Sequence, residues 1–594
     1  MTPALVFSSG FYLLFAFLYL RVAAIQHFFY LTIVFFTISV ILFIKEIAKP
    51  QTLTLEKTID EVEEIKKITG SDKPKDGSKA EGLRKRKGTV EKHEGFEIHY
   101  ESENKIVVKH YSGGSIFLKL LGVVIFVVFS FFLDLTLSPV LQHTANLTFI
   151  RPGYIGHDTA KISYRIPPVA FYENPKDFGD ARDLSTEAMY IQYAPIKFKG
   201  QSSYPSSLKW IKTESLSTIG EASDFTGVYT ISDLEPSSLY YIQVAQKNTN
   251  RILADTEFHT SPKPGLPTKL KFGSGSCIKP NFPYVPFSTP HLEGFRRMAK
   301  HDLDFVMFLG DFIYADSPYF FGSEVEKFRR LYRQVYSVGD TMELAKKSPM
   351  LHIYDDHEIL DNWDNQNQHP YGNAIKAYWE YNGAANPDPP SSDALYYNFT
   401  YGNVAFYVWD TRGNRDNHKV ENSPKKTMLG AKQKAHFFNW LRDVNHTAAV
   451  KFVASSVPLA YVWDCADAYT DIWGGFRHER AEILAETKYV PNLFFLSGDR
   501  HETAVVRLAS DNIEFSTSPI NQFSLPIVNQ HIHASGGDIT EYFLQPGQVK
   551  FGVLEVDTES DPDIPKVKYS LFTNNEANEK KPNYVYEAEC VEWK

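Results

Sequence analysis

Four short apolar runs in the C-terminal half of this 594-residue chain end in acidic residues and histidines. Phe305–Leu309 runs into Gly310-Asp311, and Leu351–Tyr354 into Asp355-Asp356-His357-Glu358. Val404–Trp409 ends at Asp410-Thr411-Arg412, and Leu493–Leu496 passes through Ser497-Gly498 to Asp499-Arg500-His501. In α/β sheets, ligands bind in the loops beyond the strand carboxyl ends. Carboxylates and imidazoles gathered there from separate strands suit a hard or borderline metal cluster. One such strand end means little, because Asp often caps the helix that follows. Four together are poorly explained by capping.

Other catalytic patterns fail. Gly273-Ser274-Gly275-Ser276-Cys277 has glycine, not serine, at the centre of a would-be nucleophile elbow. It also lacks the terminal Gly-Lys-Ser/Thr of a phosphate-cradling loop. His357-Glu358 and His501-Glu502 each lack the second histidine of a zinc-protease helix. The net charge of -9 gives no support to a nucleic-acid partner, since polyanion binders carry a basic surface.

Taken in order, Gly275-Ser276-Cys277, Gly310-Asp311-Phe312-Ile313-Tyr314, Asp355-Asp356-His357-Glu358 with Asp361-Asn362, Asp410-Thr411-Arg412, Leu429-Gly430 with Gln433, and Ser497-Gly498-Asp499-Arg500-His501 resemble the alkaline phosphatase D (PhoD) family of metallophosphoesterases. The resemblance implies a phosphoric ester hydrolase, acting on phosphodiesters or phosphomonoesters, with a site built on ferric iron and calcium. On that pattern Cys277, Asp311, Tyr314 and His501 hold the iron, while Asp311 bridges to a calcium also held by Asp356 and Asp499. Thiolate, phenolate and imidazole suit Fe(III), and carboxylates suit calcium; zinc or manganese in a less selective site is the alternative. His357 is the candidate proton donor, with Asp355 or Glu358 fixing its tautomer. Arg412 and Arg480 are candidates to pair with phosphate oxygens.

Each residue alone has a blander reading. Cys277 is more often a small buried hydrophobe, Tyr314 a packing tyrosine, and Glu479-Arg480 an ordinary helix-surface pair. The motif context favours the ligand reading for Cys277 and Tyr314. Only three cysteines exist, so an odd one is left over. A Cys465–Cys590 disulfide with Cys277 reserved for metal is economical, although the count does not fix the pairing. The rival reading is a metal-free pseudoenzyme kept as a membrane receptor or adaptor, against which the intact acidic and histidine set argues.

The elements that must position these residues follow from texture. Continuous apolar strands, alternating with helical stretches near Leu292–Lys300, Glu324–Tyr336 and Lys432–Arg442, indicate a sheet buried on both faces. The expectation is an α/β layered, metallophosphatase-like β-sandwich flanked by helices over residues 269–594. Before it, residues 139–262 read as an immunoglobulin- or fibronectin III-like sandwich. Leu234-x-Pro236-x-x-x-Tyr240 there resembles a tyrosine corner. Ser261–Pro267, with three prolines, marks a stiff linker.

The first 140 residues concentrate apolar side chains in blocks. Leu5–Leu20 and Val22–Ile44 are expected as two membrane spans within residues 1–48, and Ile116–Leu137 as a third within 114–138. Between them, residues 49–113 read as a charged cytosolic segment: a solvated linker over Gln51–Thr89, the basic run Arg84–Lys87, and a hairpin within Phe96–Tyr111. Excess Lys and Arg favours the cytosolic side. The sequence therefore predicts an integral membrane protein whose C-terminal portion is luminal or extracellular, in the secretory pathway, vacuole or plasma membrane. The glycosylation triplets at Asn146, Asn398 and Asn445 agree with that side. The expected partners are the lipid bilayer and a phosphate ester, lipid-linked or soluble.

Overall fold

The structure is a computed structural model that describes residues 3–17, 26–47, 51–55, 90–93, 96–102, 105–110, 122, 124–130, 144–167, 189–197, 208–212, 216, 219–247, 250–280, 289–317, 320–463, 467–468, 470–522, 536–545, 547–574 and 578–593. The chain divides into two compact units, Met1–Leu20 with His27–Leu133, and Arg21–Gln26 with Asp134–Lys594.

In the first unit, β1 (Gln51–Leu55), β2 (Val90–His93), β3 (Phe96–Ser102) and β4 (Lys105–His110) form one sheet in the order β1-β4-β3-β2. The β3–β4 hairpin is the one expected from alternation in Phe96–Tyr111. The start of the stretch read as linker is instead a strand, because Thr52, Leu53 and Leu55 pair with β4. The basic run Arg84–Lys87 lies outside the described residues.

The expectation of an integral membrane protein is corrected here: among the described residues, no helix is long and apolar enough to cross a membrane. The helix Pro3–Phe17 has 15 residues, roughly 22 Å at 1.5 Å per residue against a hydrocarbon core of about 30 Å. In Gln26–Ile47 the uncharged apolar stretch is confined between His27 and Lys45. Of the third apolar block only residues 122 and 124–130 are described as helical. The luminal or extracellular placement and the bilayer as partner fall with these spans.

The second unit begins with two small sheets. β5 (Phe149–Ile155), β6 (Ala160–Arg165) and β9 (Thr226–Ile231) form one. β7 (Met189–Ile196), β8 (Ile211–Lys212), β10 (Leu239–Gln246) and β11 (Ile252–His259) form the other, in the order β11-β10-β7-β8. They close over a shared core that includes Ile150, Ile162, Tyr164, Ile191, Ile242 and Val244. Tyr240 makes the expected corner, its hydroxyl oxygen accepting the Glu235 N–H at 3.0 Å.

Two larger mixed sheets follow. β12 (Lys269–Gly275), β13 (Phe305–Leu309), β14 (Met350–Ile353), β22 (Lys550–Asp557), β23 (Lys566–Thr573) and β24 (Tyr584–Ala588) run in the order β14-β13-β12-β22-β23-β24. β15 (Tyr397–Tyr401), β16 (Val404–Val408), β17 (Val450–Ala454), β18 (Leu493–Ser497), β19 (Thr503–Arg507), β20 (Ile513–Thr517) and β21 (Ile539–Leu544) run in the order β15-β16-β17-β18-β20-β19-β21. β12, β13 and β14 are mutually parallel, as are β16, β17, β18 and β20.

Strand alternation explains how these sheets stack. Phe305, Met307 and Leu309 of β13 share a core with Phe406, Val408, Phe452 and Leu496 of the facing sheet. Val306 and Phe308 point the other way, into a core with Phe328, Leu331 and Tyr332 of the helix Val325–Ser337. On the far side, Ala405, Tyr407, Val453 and Phe495 pack with Phe437 and Trp440 of Gly430–Asn445 and Ile483 of Arg477–Thr487. The result is helix, sheet, sheet, helix. A strand buried on both faces has no polar side to present, which is why the sequence runs are continuously apolar.

Candidate metal centre

Every acidic strand end opens at the same edge of the two parallel sets. The loop after β12 carries Cys277, the loop after β13 carries Asp311 and Tyr314, and that after β14 carries Asp355, Asp356 and His357. From the facing sheet, the loops after β16, β17 and β18 bring Asp410 and Arg412, Ser456, and Asp499 and His501. An isolated parallel bridge between Ile278 and Asn521 joins the loops after β12 and β20 across the two sheets. Close approach depends on two glycines. A Cβ at Gly498 would stand 2.3 Å from Ser276 Oγ, and one at Gly310, whose φ is +104°, would stand 2.6 Å from Asp355 Cβ.

The predicted ligands come together. Cys277, Asp311 and His501 each offer an atom within 4.8 Å of one another, as do Asp311, Asp355, Asp356 and Asp499. Cys277 Sγ lies 3.2 Å from Asp311 Oδ2, and Tyr314 Oη lies 3.3 Å from that oxygen and 3.1 Å from His501 Nε2. Asp311 thus belongs to both groups.

Four carboxylate oxygens in this cluster are buried without a hydrogen-bond partner: Asp311 Oδ1, Asp355 Oδ2, Asp356 Oδ1 and Asp499 Oδ2. Guanidinium nitrogens of Arg412 and Arg500 stand 3.6 Å from Asp356 Oδ1 and Asp499 Oδ2, which leaves four buried carboxylates facing two arginines, a costly excess of buried negative charge. Burial, with the neighbouring carboxylates, outweighs the opposing charges of His357 and Arg500 and pushes the pKa of Asp311 and Asp499 well above the usual carboxylate range. Burial followed by Asp311 and Asp499 likewise pushes the Cys277 thiol up. A bound cation inverts that logic and favours every deprotonated form. The donor set fits divalent metal ions.

The backbone is unusual at the same residues. Cys277, Asp311, Asp499 and His501 have φ of 63°, 59°, 69° and 55°. Non-glycine residues rarely occupy this region, and such outliers cluster at ligand sites where the surroundings over-determine them.

His357 sits beside the cluster, its ring 4.3 Å from that of Tyr314. Its orienting partner is not Asp355 or Glu358, as the sequence reading had it, but Asp316, whose carboxylate lies 2.8 Å from Nδ1. Burial disfavours the imidazolium, but Asp316, Asp356 and Asp311 outweigh it and hold His357 protonated well above its ordinary range. Glu358 instead accepts the backbone N–H groups of Asp311, Phe312 and Asp355, tying two ligand loops together. Asp355 Oδ1 is held by Arg412 Nε at 2.5 Å and Ser456 Oγ at 2.7 Å.

The two arginines expected to bind phosphate are both engaged by partners within the protein. Arg412 is fully buried, with a bidentate pair to Asp471 at 2.6 and 2.9 Å besides its bond to Asp355. It supports the carboxylate cluster from behind. Arg480 donates to the Leu459 carbonyl and to Asp538, both at 2.6 Å, with its guanidinium over the Tyr461 ring. Cys590 is a free thiol, and Cys465, its expected partner, lies outside the described residues. Asn398 is exposed, while Asn146 and Asn445 are half-buried.

Residues 272–561 match the PhoD-like phosphatase family. Alkaline phosphatase D of Bacillus subtilis is 25% identical over 347 residues, covering 51% of this chain and 57% of that protein. This chain therefore spans less than two thirds of that relative's length. A solved structure of PhoD superposes with a TM-score of 0.56 at 18% identity, covering 76% of this chain and 90% of that one. At that identity the likeness establishes the fold. Purple acid phosphatase PPD1 from yellow lupin seeds covers 74% of each chain at 12% identity, with a TM-score of 0.49, too low to carry weight.

Proposed function

We propose, from the PhoD-like phosphatase match over residues 272–561, that this chain hydrolyses phosphate esters, diester or monoester, at the centre described above. The observation that carries this reading is the convergence of four buried carboxylate oxygens that accept no hydrogen bond with Cys277, Tyr314 and His501. Ferric iron held by Cys277, Asp311, Tyr314 and His501, beside calcium held by Asp311, Asp356 and Asp499, matches the donor types. When bound, such ions supply Lewis acidity toward a phosphoryl oxygen and water.

The protein's own contribution lies at His357. Its cationic imidazole, oriented by Asp316, donates a proton to the leaving-group oxygen. Asp355 and Glu358 fix the loops that carry the ligands, and Arg412 with Asp471 fixes Asp355. The region 139–262 is read as an immunoglobulin- or fibronectin III-like sandwich bracing the catalytic domain, residues 269–594. Arg151 of β5 donates to the Tyr381 carbonyl at 2.6 Å in support of that bracing.

The full chain is to be assayed on chromogenic phosphodiesters and phosphomonoesters, with elemental analysis of the same sample and Asp311→Asn in parallel. Metal-dependent turnover lost in the variant is expected. A folded protein without metal and without turnover would favour the pseudoenzyme reading instead.

A further inference from the structure

A cleft of about 300 Å³ lies on the outer face of the six-stranded sheet, at the opposite end of the parallel strands from the metal centre. Its floor is made by the outward residues of three strands. In β12, Leu270 and Phe272 point into the inter-sheet core, so Lys271 points out. In β22 and β23, the inward Leu554, Val556, Val567, Tyr569 and Leu571 leave Glu555, Lys568 and Phe572 on the outer side. The turn Lys300–Asp302 and Lys580 form the walls. From Lys271 to Cys277 is about 20 Å of extended strand at roughly 3.3 Å per residue.

The charge in the cleft is unbalanced. Lys271, Lys300, Lys568 and Lys580 line it against Asp302 and Glu555. Widening the set to the adjoining ion pairs adds Arg296 and Arg297 on one side and Glu293 and Glu579 on the other. Six cations then face four carboxylates. Glu555 is shared, 3.1 Å from Lys568 and 3.6 Å from Lys271, and each ammonium carries three donors. The ammonium of Lys580 makes no hydrogen bond or ion pair among the described residues.

His301 sits in the wall with its ring 4.5 Å from that of Phe572, and its Nε2 is buried without a partner. Burial, then the charges of Lys271 and Lys580, lowers its basicity. A neutral imidazole can donate from one nitrogen. The cleft therefore offers lysine donors converging over a polar sheet surface, backed by an aromatic wall.

We propose that this cleft binds an oxyanion of the phosphate class at a site separate from the metal centre. The anion takes donors from Lys271 and Lys568, which share Glu555 between them, and from Lys580. This proposal does not depend on the hydrolytic reading, because none of its residues belongs to the metal centre.

The test is equilibrium dialysis of the full chain against labelled inorganic phosphate, comparing wild type with Lys568→Glu and Lys580→Glu, singly and together. Wild type is expected to bind one more phosphate per chain than the double variant, or to bind it at least about tenfold more tightly at low salt. Equal phosphate binding in wild type and in a double variant with an unchanged thermal midpoint would overturn the proposal. Lys580→Met, at an exposed position, keeps the test valid if charge reversal disturbs folding. Displacement of the label by O-phosphoserine as effective as by phosphate would identify the phosphoryl group of a larger molecule as the ligand. Displacement by phosphate alone would identify the free ion.

Discussion

Asp316 grips His357 with both carboxylate oxygens, 2.8 and 3.0 Å from Nδ1, although 41 residues separate them in sequence. Asp316 Oδ2 also accepts the Asp361 N–H at 2.6 Å, so the carboxylate is itself fixed. Because a carboxylate only accepts, Nδ1 must be the donor, which leaves Nε2 for the reacting side. Asp361 Oδ1 stands 3.8 Å from that nitrogen.

Asp316→Asn should therefore lower kcat by about 10²-fold, the lower range for general acid catalysis, with little change in KM. The loss should be larger for an alkyl leaving group than for a nitrophenyl one, which needs little protonation. Losses independent of the leaving group would restrict Asp316 to a structural role. Thermal midpoints of the variant and wild type check that the fold is intact.

Metal removal should expose the cost of the carboxylate cluster. Chelation should lower the thermal midpoint, because ligands that bind only the folded state stabilise it by roughly 2.7 kcal/mol at a hundredfold excess over Kd. Re-addition of metal should restore it. Cys277→Ser should reduce the iron retained while sparing calcium, since the thiolate is the softer donor. Elemental analysis with iron content equal to wild type would take Cys277 out of the metal centre.

Arg412→Lys is expected to act through stability and metal content rather than through substrate affinity. A lysine cannot replace a fork that spans Asp355 and Asp471. Breaking a fully buried pair of this kind costs about 3–5 kcal/mol, read by denaturant unfolding. A raised KM with unchanged stability would put the guanidinium on the substrate after all. Arg480→Lys should behave in the same way, through loss of the Asp538 and Leu459 contacts.

The strand ends that carry Asp311, Asp355, Asp356, Asp499 and His501 were legible in sequence because each follows a short, mostly apolar strand, and these ends define one edge of the layered domain; Cys277 follows the mixed strand Lys269–Gly275 and rested on the motif Gly275-Ser276-Cys277 alone. The corner at Tyr240 was legible because its spacing from Leu234 and Pro236 is local. The partners of Arg412, Arg480 and His357 were not, because Asp471, Asp538 and Asp316 reach them across loops whose mutual placement is a tertiary property. An arginine beside a cluster of acids reads as a phosphate contact until its burial is known. Asp316 carried a weak signal, lying five residues beyond Asp311 in the same loop. The apolar N-terminal blocks read as spans by composition, whereas among the described residues helix length and the polar residues at His27 and Lys45 decide against the first two.

A last prediction concerns the join between the small sandwich and the catalytic helices. Asp224 accepts from Arg165 of β6 at 2.9 Å and from Arg333 of the helix Val325–Ser337 at 2.5 Å, and also from the Tyr381 hydroxyl. Burial works against its charge, but Arg165 and Arg333, with the Tyr381 hydrogen bond, outweigh it and hold its pKa below the usual carboxylate range. A carboxylate with a depressed folded-state pKa contributes stability that is complete above its unfolded value and is lost as pH falls through the folded one. Asp224→Asn should thus cost about 3 kcal/mol near neutral pH, the lower figure for breaking a buried pair. The difference from wild type should shrink as pH falls from the unfolded aspartate value of about 3.9 through the lower folded one, where the wild-type carboxylate itself takes up a proton. Unfolding by denaturant at pH 7 and in the acid range measures both values. A difference that stays constant across that range would mean that the two arginines are held by something other than the Asp224 charge.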